Sequence, residues 1–189
     1  MQIILASASP RRQQLLELID LDFDIMVSEV EEDNAKDILP EELAMAHAID
    51  KAIDVSKRVS GNAIVIGADT IVVVDGKVFG KPKDYNEAVR MLTILAGRDH
   101  IVISGVAVVK GGGIVSGFST TTVTFRPLSQ SEIERYVATG EPMDKAGAYA
   151  IQGRGALLVK GITGCYTNVV GLPLVKLSEL LRQIGVDLL

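Results

Sequence analysis

The order of apolar segments along the chain constrains the fold more than any other feature of the sequence. The first half alternates between short apolar runs, which are typical of strands, and segments with apolar residues spaced near 3.6, which are typical of helices. Two long β-rich runs follow, at 100–110 and 114–125, and three consecutive glycines separate them, which predicts an antiparallel hairpin. The sequence therefore predicts a mixed α/β sheet with helices on its faces.

Local signals place the individual elements. Strands are predicted at 2–6, 23–27, 63–66, 71–74, 78–79 and 157–160, with Asp75-Gly76 as a hairpin turn. Helices are predicted at 11–19, 40–60, 85–95, 129–138 and 172–184. Because no repeat or long linker interrupts this order, we predict one domain over residues 1–189.

Composition narrows the class of protein. A formal charge of -5 argues against a protein that coats DNA or RNA, since such proteins carry a broad basic surface. No apolar stretch approaches the roughly 20 residues that span a bilayer, and the single cysteine, Cys165, fits a reducing compartment. We expect a cytoplasmic protein that binds neither nucleic acid nor membrane.

The first candidate site lies where a predicted strand runs into a helix, at Ser7, Arg11 and Arg12. Free backbone N–H groups at a helix N-terminus bind anions, and arginine adds forked donors that match phosphate oxygens. A capped surface helix with solvated arginines is an equally good interpretation of the spacing.

Carboxylates provide the second candidate site. Glu32 belongs to an acidic run that is more often solvated than functional, although Mg²⁺ uses one or two carboxylates with substrate phosphates. Asp69 and Thr70 follow an apolar strand, and ligands bind at the carboxyl ends of strands in open α/β sheets. Asp69 could ligate a metal or accept a proton from water, or could simply bond its own turn.

Three further polar residues and one histidine have weaker signals. Lys81 follows a hairpin, Lys51 lies in a helix beside possible salt-bridge partners, and either lysine is more often a surface residue. Gln152 lies in an irregular segment, and its amide could read a base edge. His47 follows the apolar stripe of its helix, so we predict that it packs in the core rather than binding a ligand.

Several of these segments together resemble the Maf family of nucleotide pyrophosphatases. The residues that carry the resemblance occur in the family's order over almost the full chain: 5–12, 28–32, 51–52, 66–70, 80–82, 97–100, 141–155 and 170–173. Ser104 and Cys165 depart from the expected pattern, and neither matches a motif position assigned to chemistry.

The resemblance implies a fold, a reaction, a metal cofactor and an oligomeric state. The expected fold is an elongated mixed sheet flanked by helices, with two lobes around a cleft, similar to the inosine-triphosphate pyrophosphatases (Ham1-like). The expected reaction splits a nucleoside triphosphate between the α and β phosphates, with Mg²⁺ or Mn²⁺. A cytoplasmic homodimer is also implied.

The resemblance further implies roles for single residues. Asp69 matches the family's proton acceptor, and with Glu32 it would hold the metal. The family's phosphate-binding positions are matched by Ser7, Arg12, Lys51 and Lys81. The positions that distinguish substrates between subgroups are matched by Arg11, Thr70 and Gln152.

The substrate subgroup and the biological role stay open. The Arg11, Thr70 and Gln152 combination resembles the subgroup that acts on dTTP and UTP, and the alternative is the subgroup that prefers 7-methyl-GTP. A second alternative is a regulatory protein that acts by binding a partner in cell division.

Overall fold

The computed structural model describes residues 2–33, 38–59 and 61–189. The strands are β1 (Ile3–Leu5), β2 (Asp24–Ile25), β3 (Ile64–Val74), β4 (Lys77–Phe79), β5 (Asp99–Lys110), β6 (Gly113–Phe125) and β7 (Val159–Thr163). The α-helices are α1 (Pro10–Glu17), α2 (Pro40–Ser56), α3 (Tyr85–Leu95), α4 (Gln130–Val137), α5 (Tyr166–Val170) and α6 (Leu174–Gln183). Ser60, the last residue of one predicted helix, lies outside the described residues. No helix in these ranges is long and apolar enough to span a membrane.

The strands form one seven-stranded mixed sheet in the order β2-β1-β3-β5-β6-β7, with β4 paired to β3. β1 pairs in parallel with both β2 and β3, and Ile3 lies opposite Ile64. β4 is antiparallel to β3, and β7 is antiparallel to β6. The prediction of a mixed α/β sheet flanked by helices is therefore confirmed.

Local sequence signals explain where several elements begin and turn. Asp75 and Gly76 join β3 to β4 with φ angles of 49° and 72°, the left-handed pair that a tight hairpin turn requires. Ser129 caps α4, and Glu132 completes a reciprocal capping box with it. The helix predicted at 85–95 agrees with α3 at both ends, and Asp84 caps it by accepting from the Glu87 amide at 2.8 Å.

Two glycines set how closely α2 packs on the sheet. A Cβ added to Gly67 in β3 would lie 2.2 Å from the carbonyl oxygen of Ala48, and one added to Gly105 in β5 would lie 2.2 Å from that of Ala44. Ala44, Ala48 and Ala52 recur every four residues of α2 and are fully buried. Because all five residues are small, the helix backbone lies almost directly on the strands.

The chain divides into two compact units. The first comprises residues 1–70, 104–119 and 171–189, and its core includes Ile4, Ala48, Val65 and Ala107. The second comprises residues 71–103 and 120–170, and its core includes Val72, Leu92, Phe125, Ile133 and Tyr149. The prediction of a single domain over 1–189 stays a prediction.

Three predictions of local structure were wrong in detail. β3 runs without interruption from Ile64 to Val74, so Asp69 and Thr70 lie inside a strand and not at its carboxyl end. The strand predicted at 23–27 is only two residues long, and that predicted at 157–160 is shifted to Val159–Thr163. The irregular segment predicted at 141–155 holds two short 3-10 helices and the start of a third, and α5 lies outside the predicted elements.

Candidate active site

Asp69 lies at the centre of a polar cluster in the first unit. It is 4% exposed, and the pleat of β3 places it on the same face as Gly67, toward α2. His47 and Lys51 are one turn apart on α2 and therefore share a face of that helix. His47 Nδ1 lies 3.1 Å from Asp69 Oδ2, and Lys51 Nζ donates to Asp69 Oδ1 at 2.7 Å. Each oxygen of the buried carboxylate thus has a cationic or potentially cationic partner.

Glu32 completes this cluster. Lys51 Nζ also donates to Glu32 Oε1 at 2.6 Å, so one ammonium group bridges two carboxylates. One ligand atom each from Glu32, His47 and Asp69 lies within 4.8 Å of the others, a spacing that could hold a metal ion. The helical neighbour Asp54 pairs with Arg58, whereas Lys51 pairs with Glu32 and Asp69.

The surroundings of Asp69 keep its carboxylate ionised. Burial alone would raise the pKa of Asp69, but the hydrogen bond with His47 and the charges of Lys51 and Arg12 outweigh burial and lower the pKa to about 2. At neutral pH such a carboxylate is a good acceptor and a weak base.

His47 has an oxygen acceptor next to each ring nitrogen. Nδ1 faces the Asp69 carboxylate, and Nε2 lies 3.2 Å from the backbone oxygen of Asp33. The hydrogen bond with Asp69 raises the pKa of His47 above its ordinary value, although burial opposes the shift. Both contacts are hydrogen bonds when both nitrogens carry hydrogen, which is the protonated form that a raised pKa favours.

Arg12 forms a second cluster in the same unit, and its partners are neutral. Its guanidinium donates from Nε to the Gly171 carbonyl at 2.8 Å, from Nη1 to Ser7 Oγ at 3.1 Å and from Nη2 to Thr70 Oγ1 at 3.2 Å. Burial lowers the pKa of Arg12, and the charge of Asp69 opposes that shift. Among the described residues no carboxylate forms an ion pair with Arg12, so its positive charge is fixed in place without a contacting anion.

Thr70 and Ser104 support Arg12 from the opposite face of β3. Thr70 Oγ1 lies 2.8 Å from Ser104 Oγ and 3.4 Å from the Gly171 carbonyl, in addition to its bond from Arg12. Ser104 is fully buried. The hydroxyl of Thr70 is therefore engaged in holding the guanidinium.

The structure brings together six of the predicted residues in the first unit: Ser7, Arg12, Glu32, Lys51, Asp69 and Thr70. Arg11, also in this unit, is half-buried. Lys81 and Gln152 belong to the second unit, where Lys81 is exposed and Gln152 is half-buried.

Sequence reasoning missed two members of these clusters. His47 was predicted as a core residue, and it is indeed 3% exposed, but it also contacts Asp69. Its spacing of four residues from Lys51 was the signal that both side chains project from the same face of the helix. Ser104 was interpreted as a departure from the family pattern without a role in the chemistry. The signal that could have indicated a polar contact was a serine among the apolar residues of β5.

Comparisons with known proteins agree with the resemblance in the sequence. A family model described as Maf-like protein matches residues 2–184. A dTTP/UTP pyrophosphatase of Symbiobacterium thermophilum is 53% identical over 97% of this chain and 94% of its own length. Another from Pelotomaculum thermopropionicum is 48% identical over 100% of this chain and 99% of its own.

A solved structure is also similar, at a much lower level. The HAM1 protein of Coxiella burnetii is 15% identical over 66% of this chain and 73% of its own, with a TM-score of 0.46. That similarity is too low to support a conclusion about function.

Proposed function

This chain belongs to the family of Maf-like proteins, and we propose that it is a pyrophosphatase that converts dTTP and UTP to the nucleoside monophosphate and pyrophosphate. The observation that carries the proposal is the buried Arg12 guanidinium, held by neutral oxygens in the same unit as the Glu32 and Asp69 carboxylates. Fixed cations and metal-binding carboxylates are the parts that phosphoryl transfer requires. The names of the full-length relatives support the choice of dTTP and UTP.

Arg12 and Ser7 would bind the triphosphate. A guanidinium that neutral acceptors already hold in place can donate to phosphate oxygens with little reorganisation. Ser7 is 7% exposed, and its Oγ accepts from Arg12 and from the Ser9 amide at 3.2 Å, which fixes its position just before α1. Lys51 would supply further positive charge, and the family resemblance implies the same role for Lys81.

The donor set also fits a divalent metal. Glu32 and Asp69 offer hard oxygen donors, which Mg²⁺ and Mn²⁺ prefer, and the shared Lys51 contact shows that their oxygens converge on a cation. When bound, the metal would neutralise phosphate charge and polarise the α-phosphorus. Lys51 would then turn from the carboxylates to the phosphates.

Asp69 would orient the attacking water. With a pKa of about 2 it is a weak base at neutral pH, so its contribution is to accept a hydrogen bond from the water and to align it with the α-phosphorus. This is a narrower role than full proton abstraction.

Gln152 and Arg11 would read the base, and Thr70 would act through Arg12. Gln152 offers both a donor and an acceptor to a pyrimidine edge. Thr70 Oγ1 is already bonded to Arg12 and Ser104. We expect the substitution of Thr70 to affect triphosphate binding as well as nucleotide preference.

We also expect the protein to act in the cytoplasm as a homodimer, as the resemblance implies. Light scattering coupled to size-exclusion chromatography would measure the mass of the assembly. A mass near one chain of 20.2 kDa at micromolar concentration would contradict the dimer.

The test is pyrophosphate release from dTTP, UTP, CTP, GTP, ATP and 7-methyl-GTP, with Mg²⁺ or Mn²⁺. We expect turnover of dTTP and UTP that Asp69→Asn abolishes while nucleotide binding remains measurable. Asp20→Asn is the matched control, because Asp20 lies in an exposed turn at φ 51°, which asparagine tolerates.

Each other outcome has a distinct meaning. Preferred cleavage of 7-methyl-GTP would replace the pyrimidine assignment but keep the reaction. No release from any triphosphate would overturn the proposed activity and favour a protein that acts by binding a partner.

A further inference from the structure

His47 contacts the carboxylate of Asp69 and the backbone next to Glu32. Its Nδ1 contacts Oδ2 of Asp69 at 3.1 Å, and its Nε2 contacts the backbone oxygen of Asp33, the residue after Glu32, at 3.2 Å. The imidazole is 3% exposed and projects from α2, whose position on the sheet is fixed by Gly67. One rigid ring therefore spans the strand that carries Asp69 and the segment that carries Glu32.

The contact with Asp69 controls the orientation of that carboxylate. The terminal torsion of an aspartate has a broad energy profile, so the carboxylate plane is set by its partners. Lys51 contacts Oδ1 from the end of a flexible side chain. His47 contacts Oδ2 through a planar ring, and the other nitrogen of that ring contacts the Asp33 carbonyl. Without His47, the carboxylate could rotate about its contact with Lys51.

The contact with Asp33 restrains the backbone of the segment that carries Glu32. Glu32 is exposed and lies outside the helices and strands, so its backbone has few restraints from regular structure. The Nε2 contact restrains the carbonyl of the next residue. His47 thus limits the separation of Asp69 and Glu32 through a rigid ring, in addition to the flexible Lys51 side chain that bridges the two carboxylates.

We propose that His47 is a positioning residue that sets the geometry of the Asp69 and Glu32 carboxylates for the reaction. This inference rests on the proposed function. It differs from direct metal ligation, because each ring nitrogen lies at hydrogen-bond distance from an oxygen of the protein itself, Asp69 Oδ2 or the Asp33 carbonyl. Groups that orient metal-binding carboxylates typically change metal affinity or activity by 10- to 100-fold when they are removed.

Three substitutions separate the two contacts. The amide nitrogen of His47→Asn can take the place of Nδ1 and keep the donor to Asp69. The amide nitrogen of His47→Gln can take the place of Nε2 and keep the donor to Asp33, while His47→Leu keeps neither.

For His47→Leu we expect kcat to fall by about 10- to 100-fold, with KM for dTTP within about threefold of the parent protein because the Arg12 cluster is unchanged. His47→Asn should recover most of kcat, and His47→Gln should lie between the two. A purely structural role would lower thermal stability without this order in kcat. Equal turnover in His47→Leu and the parent protein, or His47→Asn as slow as His47→Leu, would overturn the proposal.

Mn²⁺ binding, followed by electron paramagnetic resonance, is a readout that does not need turnover. We expect His47→Leu to weaken Mn²⁺ binding by about tenfold, with recovery in His47→Asn, and the spectrum of the parent protein to lack coupling to a coordinated nitrogen. A nitrogen coupling that disappears in His47→Leu would make His47 a ligand and overturn the proposal. If the parent protein released no pyrophosphate at all, the proposed function would fail, while the order of Mn²⁺ affinities would still decide the role of His47.

Discussion

Replacement of Gly67 by alanine tests whether close packing of α2 assembles the candidate site. The added Cβ would lie 2.2 Å from the Ala48 carbonyl oxygen and 2.9 Å from the Ala52 Cβ, and neither neighbour is the end of a flexible side chain. The helix must therefore move, and overpacking of this kind costs about 1–3 kcal/mol or more. For a chain of this size each kcal/mol lowers Tm by about 2–4 °C, so we expect Tm to fall by about 2–12 °C.

Gly161→Ala is the matched control. Gly161 also lies in a strand, β7, but no atom lies within 4 Å of a Cβ built there. We expect its stability to stay within about 1 kcal/mol of the parent protein. Thermal unfolding followed by circular dichroism measures both changes.

Activity provides the second half of this test. A displaced α2 would carry His47 and Lys51 away from Asp69, so Gly67→Ala should lose turnover even at temperatures where it is fully folded. Gly161→Ala should retain turnover. If Gly67→Ala matched its control in both Tm and kcat, the argument that this glycine seats the helix and assembles the cluster would be refuted.

Three further predictions concern other parts of the molecule. Arg12→Lys loses the forked guanidinium that donates to three oxygens, so KM for dTTP should rise by about 10- to 100-fold in steady-state kinetics. An unchanged KM would show that Arg12 does not bind the substrate. Burial lowers the pKa of His100 to about 4, so the stability that neutral His100 contributes is complete above about pH 6.5 and is lost as the pH falls toward 4. In urea unfolding, the free energy of unfolding should be about 2 kcal/mol lower at pH 5 than at pH 7.5. This loss should be absent in His100→Phe. Gln152→Ala should reduce the preference for dTTP and UTP by about 10- to 100-fold in kcat/KM, whereas equal losses on all triphosphates would contradict a role in reading the base.

The elements that could be predicted from the sequence are those with strong local signals. The Asp75-Gly76 turn and the helix that begins near Ser129 each depend on a few adjacent residues, and the structure has both where they were predicted. The helix at 85–95 combines a cap at Asp84 with an amphipathic pattern, and its ends agree. Such signals need no knowledge of the remainder of the chain.

The wrong prediction at Gly67 has a non-local cause. A glycine followed by alanine, aspartate and threonine is typical of a strand end, because glycine weakens a strand interior. Here the missing side chain admits the backbone of α2, and β3 continues to Val74. The partner atom belongs to Ala48, on another element, so the local sequence could not indicate this use of glycine.

The role of His47 was hidden for a related reason. Its burial followed from the apolar stripe of α2, and that prediction was confirmed. Its contact with Asp69, however, depends on which face of β3 lies against α2, and periodicity within one element does not specify its partner. The i and i+4 relation of His47 and Lys51 limited the possibilities but did not identify the carboxylate between them.

The register of β3 explains how one unit can hold, as near neighbours, an acidic cluster and the Arg12 guanidinium, which contacts no carboxylate among the described residues. Asp69 and Thr70 are adjacent, so their side chains point to opposite faces of the sheet. Asp69 contacts His47 and Lys51 on one face, and Thr70 contacts Arg12 from the other. A slip of one residue would exchange the two faces, and the carboxylate would then neutralise Arg12. The pleat therefore keeps the guanidinium paired with hydroxyl and carbonyl oxygens, which leaves its charge for a phosphate, while the carboxylate remains on the face where Glu32 can join it around a metal.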